Sequence, residues 1–180
     1  MALMIPDYTT EFTTGGERRF YEFLARFAKP DEKFTSWYLP DIQGREPDFI
    51  LYCDEIGLIV FEIKDWSLDQ IEEADRHTFV LQTGGQRRRL KSPLHQAREY
   101  LNSLMDRIKS DGRLVSKEQR FYGKPRIPLH CGVVFPNINR HAYRRRRLSE
   151  IIDENHVFFR DDLRHGSEIC NDGTGGCFQS

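Results

Sequence analysis

The sequence predicts one α/β or α+β domain, and three observations support this fold class. The chain has 180 residues, which is enough for one domain with a hydrophobic core. Short apolar segments between turn residues predict β-strands, and longer segments with apolar residues at helical spacing predict helices. The longest strongly apolar run, Ile56–Phe61, is far shorter than the roughly 20 residues of a membrane-spanning helix.

The first helix follows a capping signal near the N-terminus. Thr14 and Glu17 have the T-x-x-E spacing of a capping box, in which each side chain bonds the backbone of the other residue. Pro30 ends the helical pattern, since proline cannot continue a helix. Between these limits the apolar residues at helical spacing are Phe20, Phe23, Leu24 and Phe27.

Three apolar strands follow this helix. They are predicted over Phe34–Leu39, Phe49–Cys53 and Leu58–Lys64. The short segment 54–57 predicts a tight turn, so we expect the second and third strands to form a hairpin.

The middle of the chain predicts a polar hairpin and a long helix. Thr78–Gln82 and Gln86–Lys91 flank two glycines and are expected at the edge of the sheet. Ser92 and Pro93 then begin a helix that ends near Gly112. Its buried stripe is predicted to contain Leu94, Ala97, Leu101, Leu104, Met105 and Ile108.

The C-terminal third predicts a strand, a helix and a last strand, over Leu129–Phe135, Arg140–Asp153 and Val157–Arg160. The first of these strands is apolar and is expected near the centre of the sheet. From Gly166 the chain is rich in Gly, Ser and Asn without periodicity. We therefore expect residues 1–165 to form the domain and residues 166–180 to be a flexible tail or linker.

Charge is distributed unevenly along the chain. The formal net charge is −1, yet residues 1–83 hold 17 acidic and 8 basic side chains. Residues 84–147 hold 17 basic and 4 acidic side chains, and residues 148–180 hold 7 acidic and 2 basic ones. Such a chain can place a carboxylate cluster against a basic surface, as an enzyme acting on a polyanion requires.

The cysteines and the N-terminus suggest a cytoplasmic protein with reduced thiols. The 4 cysteines form no C-x-x-C pair, and the N-terminus has neither the basic region nor the apolar stretch of a secretion signal. Because disulfides are rare in the cytoplasm, we expect no disulfide framework and no membrane association.

The most informative residues lie at one end of the first predicted hairpin. Asp48 precedes one apolar strand, and Glu62 and Lys64 lie at the end of the other. Two carboxylates at one point offer the oxygen ligands that Mg²⁺ prefers. Lys64 projects from the same face as Glu62, because side chains alternate along a strand. The group could therefore hold a metal ion and place an ammonium beside it.

The hairpin register decides whether these side chains share a face. A two-residue loop would pair Asp48 with Ile63, which points to the opposite face. A loop of odd length or a bulge would pair Asp48 with Glu62 or Lys64, and we predict one of these. The alternative is a salt bridge at a strand end, although charges at the end of an apolar strand are costly without partners.

These residues carry a family resemblance. Pro47-Asp48 followed by Glu62-Ile63-Lys64 resembles the motif of the PD-(D/E)xK nuclease superfamily. The segments 16–18, 62–67 and 133–136 together resemble the NERD (nuclease-related) domain, over residues 14–163. The resemblance implies a restriction-endonuclease-like core, in which a central mixed β-sheet is flanked by helices. It also implies a divalent metal held by Asp48 and Glu62.

Three further residues fit the resemblance. Gln96 and Tyr100 form a Q-x-x-x-Y motif similar to that of RecB-like exonuclease domains, and they are i, i+4 neighbours. Gln96 could bind a metal water or phosphate, and Tyr100 could stack or hydrogen-bond; alternatively both are a helix-surface pair. The family often places a first-helix glutamate near the metal, so Glu17 is either a site residue or only a helix cap.

The basic run on the polar hairpin is a candidate nucleic-acid contact. Alternation sends Arg87, Arg89 and Lys91 to one face of the strand. Their charges could contact phosphates without reading the sequence of bases. The alternative is a solvated surface that protects a sheet edge.

Together these residues predict a Mg²⁺-dependent nuclease that hydrolyses DNA, with Mn²⁺ as a possible substitute. The catalytic group would contain Asp48, Glu62, Lys64, Gln96 and Glu17, and the nucleic-acid contacts would be Arg87, Arg89, Lys91 and Tyr100. Two alternatives stay open. One is a non-catalytic nucleic-acid-binding module that keeps the nuclease fold, such as the N-terminal part of a helicase-type protein. The other is an interaction domain whose basic face binds an acidic protein.

Overall fold

The computed structural model describes residues 2–28 and 33–165. Within these residues the strands are β1 (Leu3–Ile5), β2 (Phe34–Tyr38), β3 (Phe49–Cys53), β4 (Gly57–Ile63), β5 (Ile71–Ala74), β6 (Thr78–Thr83), β7 (Gln86–Lys91), β8 (Leu129–Phe135) and β9 (Val157–Phe159). The helices are α1 (Gly15–Phe27), α2 (Pro93–Lys109), α3 (Arg140–Arg145) and α4 (Arg160–His165). None of these helices is long and apolar enough to cross a membrane. The predicted tail from Gly166 lies outside the described residues.

A six-stranded mixed sheet forms the centre of the molecule, in the order β1-β2-β3-β4-β8-β9. Strands β2, β3 and β4 pair antiparallel, whereas β4, β8 and β9 run parallel to one another. Parallel neighbours need long crossover connections, and α2 belongs to the connection between β4 and β8. The prediction of a central mixed sheet flanked by helices is confirmed.

Helices cover both faces of this sheet. On one face Phe20 of α1 packs edge-on against Phe49 and Phe61, with ring centroids 5.2 and 5.0 Å apart. On the other face Ala97 of α2 is buried in the same apolar cluster as Val60. Because side chains alternate along β4, the side chains of Glu62 and Val60 point to the same face of the sheet, which is the face covered by α2.

Helix α1 begins at the predicted cap, but only the Thr14 half of the capping box forms, because the Glu17 carboxylate accepts from the backbone amide of Thr13 and not from that of Thr14. The Thr14 side chain accepts a hydrogen bond from the backbone N–H of Glu17, at 3.2 Å. The helix ends at Phe27, and Pro30 lies outside the described residues.

The predicted helix over Arg140–Asp153 is wrong in its length. Helix α3 ends at Arg145, and the chain then turns through Arg147, which has a left-handed φ of 59°. The buried Tyr143 explains the turn, since its hydroxyl donates a hydrogen bond to the carbonyl of Ile152 at 2.7 Å. A continuous helix would carry Ile152 away from this partner.

The polar hairpin is not at the edge of the central sheet. Strands β6 and β7 form it as predicted, but they join β5 in a separate three-stranded sheet. Neither β5 nor β1 was predicted, because β5 is short and acidic and β1 has three residues. The last strand also stops at Phe159, because Arg160 begins α4.

Candidate metal-binding and catalytic site

The register of the β3–β4 hairpin places Asp48 opposite Glu62. Phe49 pairs with Phe61, and Cys53 pairs with Gly57, so the connecting loop has the three residues 54–56. Extending this antiparallel register by one position brings Asp48 to Glu62. The predicted loop of odd length is confirmed, and the two carboxylates share the α2 side of the sheet.

Glu62 is a buried carboxylate with one satisfied oxygen. Its side chain is 2% exposed, and Oε1 accepts a hydrogen bond from Nζ of Lys64 at 2.5 Å. Its other oxygen, Oε2, is buried and has no hydrogen-bond partner among the described residues. An unpaired buried carboxylate oxygen is costly, so its position is typical of a group that binds a ligand.

Asp48 is held against the same strand end. Its Oδ2 accepts a hydrogen bond from the backbone N–H of Ile63, at 2.6 Å. Burial raises the pKa of Asp48 to about 7, and the negative charge of Glu62 adds to this rise. Burial also raises the pKa of Glu62 above its ordinary range. Such shifts are common where carboxylates are gathered for function, and a bound cation would stabilise both in the charged form.

Glu17 lies beside this pair and also serves the helix start. Its Oε2 accepts hydrogen bonds from the Tyr38 hydroxyl at 2.6 Å and the Thr13 amide at 3.2 Å. Its negative charge contributes to the raised pKa of both Asp48 and Glu62. Glu17 therefore bonds the residue before the helix cap, and its charge acts on both carboxylates; a role for Glu17 at the metal stays a prediction.

Asp65 fixes the relative positions of the elements that carry these carboxylates. Its Oδ2 accepts from the Gly16 amide at 3.1 Å, and its Oδ1 accepts from Arg19 at 2.8 Å and from Asn137 at 2.7 Å. These donors belong to the first two turns of α1 and to the segment after β8. Asp65 was not predicted as a functional residue, although it follows Lys64 directly and Gly16 directly precedes Glu17.

The residues present fit a hard divalent cation with few protein ligands. No group of three or more His, Cys, Asp or Glu side chains in residues 2–28 and 33–165 is arranged to hold a metal ion. Mg²⁺ is commonly bound by one or two carboxylates together with waters and phosphate oxygens. Asp48 and the unpaired Oε2 of Glu62 match that donor set.

Comparison with models of known protein families shows which family the chain belongs to. The model of the NERD nuclease-related domain matches residues 13–136. The chain belongs to the NERD family. The match begins just before the α1 cap and ends after β8, so it includes Glu17, Asp48, Glu62 and Lys64. No curated protein and no solved structure matches the chain.

In this NERD domain the side chains of Gln96 and Tyr100 form a hydrogen bond with each other. The Gln96 amide donates to the Tyr100 hydroxyl at 3.1 Å. Helix α2 packs on β4, but no hydrogen bond in the described part of the chain joins Gln96 to Asp48, Glu62 or Lys64. A role for Gln96 beside the metal stays a prediction.

The basic side chains of β7 in this NERD domain are partly neutralised by neighbouring acids. Arg87 forms ion pairs with Glu72 at 2.8 Å and Glu73 at 2.6 Å. Lys91 pairs with Glu99 of α2 at 2.7 Å. Arg87 and Arg89 line one cleft, so they share a face as alternation predicts. Their contact with nucleic acid stays a prediction.

Proposed function

We propose that this NERD domain is a Mg²⁺-dependent nuclease that hydrolyses DNA phosphodiester bonds, with Mn²⁺ able to substitute. One observation carries the proposal. Oε2 of Glu62 is buried and finds no hydrogen-bond partner within the described residues 2–28 and 33–165, and it lies on a strand end opposite Asp48 and beside an ammonium group. This combination of charges suits a cation and a phosphate together better than a structural ion pair.

Asp48 and Glu62 would hold the metal. When bound, Mg²⁺ polarises the scissile phosphate and lowers the pKa of a coordinated water. The hydrogen bond from the Ile63 amide holds the Asp48 carboxylate at the strand end. The burial of Glu62 excludes water from one side of its carboxylate, which strengthens its interaction with a nearby cation.

Lys64 would act on the phosphate and the attacking water. Its side chain is 20% exposed, so the ammonium can reach a substrate at the surface while it contacts Glu62. A compact ammonium can orient a water molecule or offset the charge that develops on the phosphate oxygens. Glu17 and Gln96 would complete the surroundings of the metal, with Glu17 acting through its negative charge near both ligands.

Substrate binding would use the basic strand and the α2 helix. Arg87, Arg89 and Lys91 would contact DNA phosphates, which requires Arg87 and Lys91 to exchange their carboxylate partners for phosphate. Tyr100 would stack on or hydrogen-bond to the DNA.

A cleavage assay tests this proposal. Linear and circular DNA, single- and double-stranded, and RNA would be incubated with Mg²⁺ or Mn²⁺ and with the wild type, Glu62→Gln or Lys64→Ala. Glu55→Gln is the matched control, because Glu55 is an exposed carboxylate at the opposite end of the same hairpin. We expect cleavage by the wild type and the control and a loss of at least about 100-fold in both site variants. Cleavage of no substrate by the wild type, or full activity of either site variant, would refute the proposal.

A non-catalytic nucleic-acid-binding module is the second candidate. The observation that favours it is that no third acidic or histidine ligand joins Asp48 and Glu62 in the described residues. Such a module could belong to a larger helicase-type protein. It would bind DNA without cleaving it under either metal, and Lys64→Ala would leave that binding intact.

A further inference from the structure

A second basic surface lies between α2 and β8, on a compact hairpin of residues 113–126. Val115 and Pro125 form a β-bridge, and the Ser116 amide donates to the Lys124 carbonyl at 2.8 Å. The Arg126 amide donates to the Leu114 carbonyl at 2.9 Å. These bonds fold the segment before any ligand binds. We refer to residues 113–126 as the basic hairpin.

The tip of the basic hairpin exposes two adjacent aromatic rings. Tyr122 is 78% exposed and Phe121 is 43% exposed. The Arg120 guanidinium and the Lys124 ammonium lie over the Phe121 ring, 5.4 and 5.8 Å from its centroid. Single exposed hydrophobic side chains are common, but two adjacent exposed rings form an apolar patch of the kind found at binding sites.

Most of the basic side chains of the basic hairpin form no ion pair with a carboxylate in the described part of the chain. Residues 113–126 contain 5 basic side chains and 1 acidic side chain. Arg113 pairs with Asp111, but no carboxylate within the described residues forms an ion pair with Lys117, Arg120 or Lys124. The basic strand β7 differs, because Arg87 and Lys91 are paired with glutamates.

We propose that the basic hairpin binds single-stranded nucleic acid, with an unpaired base stacked on Tyr122 and phosphates contacted by Lys117, Arg120 and Lys124. Exposed aromatic rings among unpaired cations are the combination that recognises single strands, since every base has a face that can stack. Duplex DNA hides these faces, so it would use only the charges.

The basic hairpin lies away from the proposed catalytic site. It leads into the start of β8, where Leu129 pairs with Leu58 at the start of β4, whereas Glu62 is near the end of β4. Four residue steps along a strand correspond to about 13 Å. If the site at Glu62 cleaves a strand bound by the hairpin, that strand must span at least this length of β4. The position of the basic hairpin relative to the cleavage point rests on the proposed function. The proposal that the hairpin binds single-stranded nucleic acid does not.

Binding without metal tests the inference separately from cleavage. Fluorescence anisotropy would measure the Kd of a labelled oligothymidine and of a duplex of equal length, in EDTA. Tyr8→Ala is the matched control for Tyr122→Ala, because Tyr8 is 76% exposed and lies outside the hairpin. For the single strand we expect Tyr122→Ala to raise Kd about tenfold, and Tyr122→Phe and Tyr8→Ala to change it less than twofold. An unchanged Kd for Tyr122→Ala would overturn the proposal, as would an equal loss for the duplex.

The salt dependence tests the cations. The double variant Lys117→Ala/Lys124→Ala should reduce the slope of log K against log salt by about 1.4, since each single-strand phosphate contact contributes about 0.7. Arg147→Ala is the control, because Arg147 is paired with Glu150 elsewhere on the surface, and it should leave the slope unchanged. An unchanged slope in the double variant would overturn the proposal. A protein that binds through the hairpin but cleaves nothing would instead overturn only the proposed function.

Discussion

The backbone amide of Gly16 donates a hydrogen bond to the Asp65 carboxylate, 3.1 Å from nitrogen to Oδ2. The contact joins residues 49 positions apart in the chain. Gly16 precedes Glu17 and Asp65 follows Lys64, so this bond helps to hold the first helix against the end of β4. The site is therefore assembled by tertiary contacts as well as by the local hairpin register.

Gly16→Ala should destabilise the protein although alanine favours helices. A Cβ at position 16 would lie 2.8 Å from Cγ of Pro136 and 3.1 Å from the Asp65 carboxylate. Forcing this contact should cost about 1–3 kcal/mol in the free energy of unfolding, measured by urea denaturation. Gly15→Ala is the control, because its nearest atom would be at an ordinary 3.6 Å. Equal stability of the two variants would show that the close approach at Gly16 does not matter.

Stability should fall as pH rises, because of Asp48. Burial raises the pKa of Asp48 to about 7 in the folded protein, against 3.8 for an unperturbed aspartate. Between these values the folded chain keeps a proton that the unfolded chain has lost, so the free energy of unfolding decreases with increasing pH. Glu62, whose pKa is also raised, contributes with the same sign.

Asp48→Asn should make this decrease smaller. Between pH 5 and pH 8, without divalent ions, we expect the variant to lose at least about 1 kcal/mol less than the wild type, the equivalent of roughly one pKa unit. Urea denaturation at several pH values measures the difference. Asp54→Asn, at the exposed turn of the same hairpin, should follow the wild type. If Asp48→Asn showed the same dependence of unfolding free energy on pH as the wild type, the assignment of the raised pKa to Asp48 would be contradicted.

The local parts of the fold and site can be predicted from sequence. Apolar alternation defines β3 and β4, and the requirement that Asp48 and Glu62 share a face predicts the odd loop. The capping residues locate α1. These features depend on neighbours in the sequence, where periodicity and turn chemistry are decisive.

Features that depend on distant residues could not be predicted in the same way. The hydrogen bond between Gly16 and Asp65 joins residues that are far apart in the chain, and no local sequence pattern predicts that they meet. The end of α3 depends on a partner for the buried Tyr143 hydroxyl. Strand β5 is short and acidic, so pairing with β6 rather than its own composition makes it a strand.

Tyr38→Phe should cost about 1–3 kcal/mol in unfolding free energy. The Tyr38 hydroxyl donates to buried Glu17, so its removal leaves a carboxylate oxygen with one fewer donor. Tyr52→Phe is a matched control, since Tyr52 donates to Asp54 at the surface and its loss should cost under about 0.5 kcal/mol. Thermal denaturation of both variants provides the comparison, and equal losses would argue against a tightly held Glu17.

Neutralising Glu72 and Glu73 should strengthen DNA binding if β7 contacts phosphates. Both carboxylates pair with Arg87, and the double variant Glu72→Gln/Glu73→Gln would release that guanidinium and remove two negative charges. We expect Kd for DNA to fall several-fold at low salt, with a smaller effect at high salt. Glu22→Gln, on α1, serves for comparison. An unchanged Kd at low salt would place β7 outside the DNA interface.

Calorimetric titration of Mn²⁺ into the DNA-free protein tests most directly whether Asp48 and Glu62 are two halves of one cation site. The wild type and Glu55→Gln should bind one ion with the same affinity. Asp48→Asn and Glu62→Gln should each weaken binding by at least about tenfold, because affinity follows the number of charged ligands. Binding of Mn²⁺ to both site variants with wild-type affinity would contradict the assignment of the strand-end carboxylates as metal ligands.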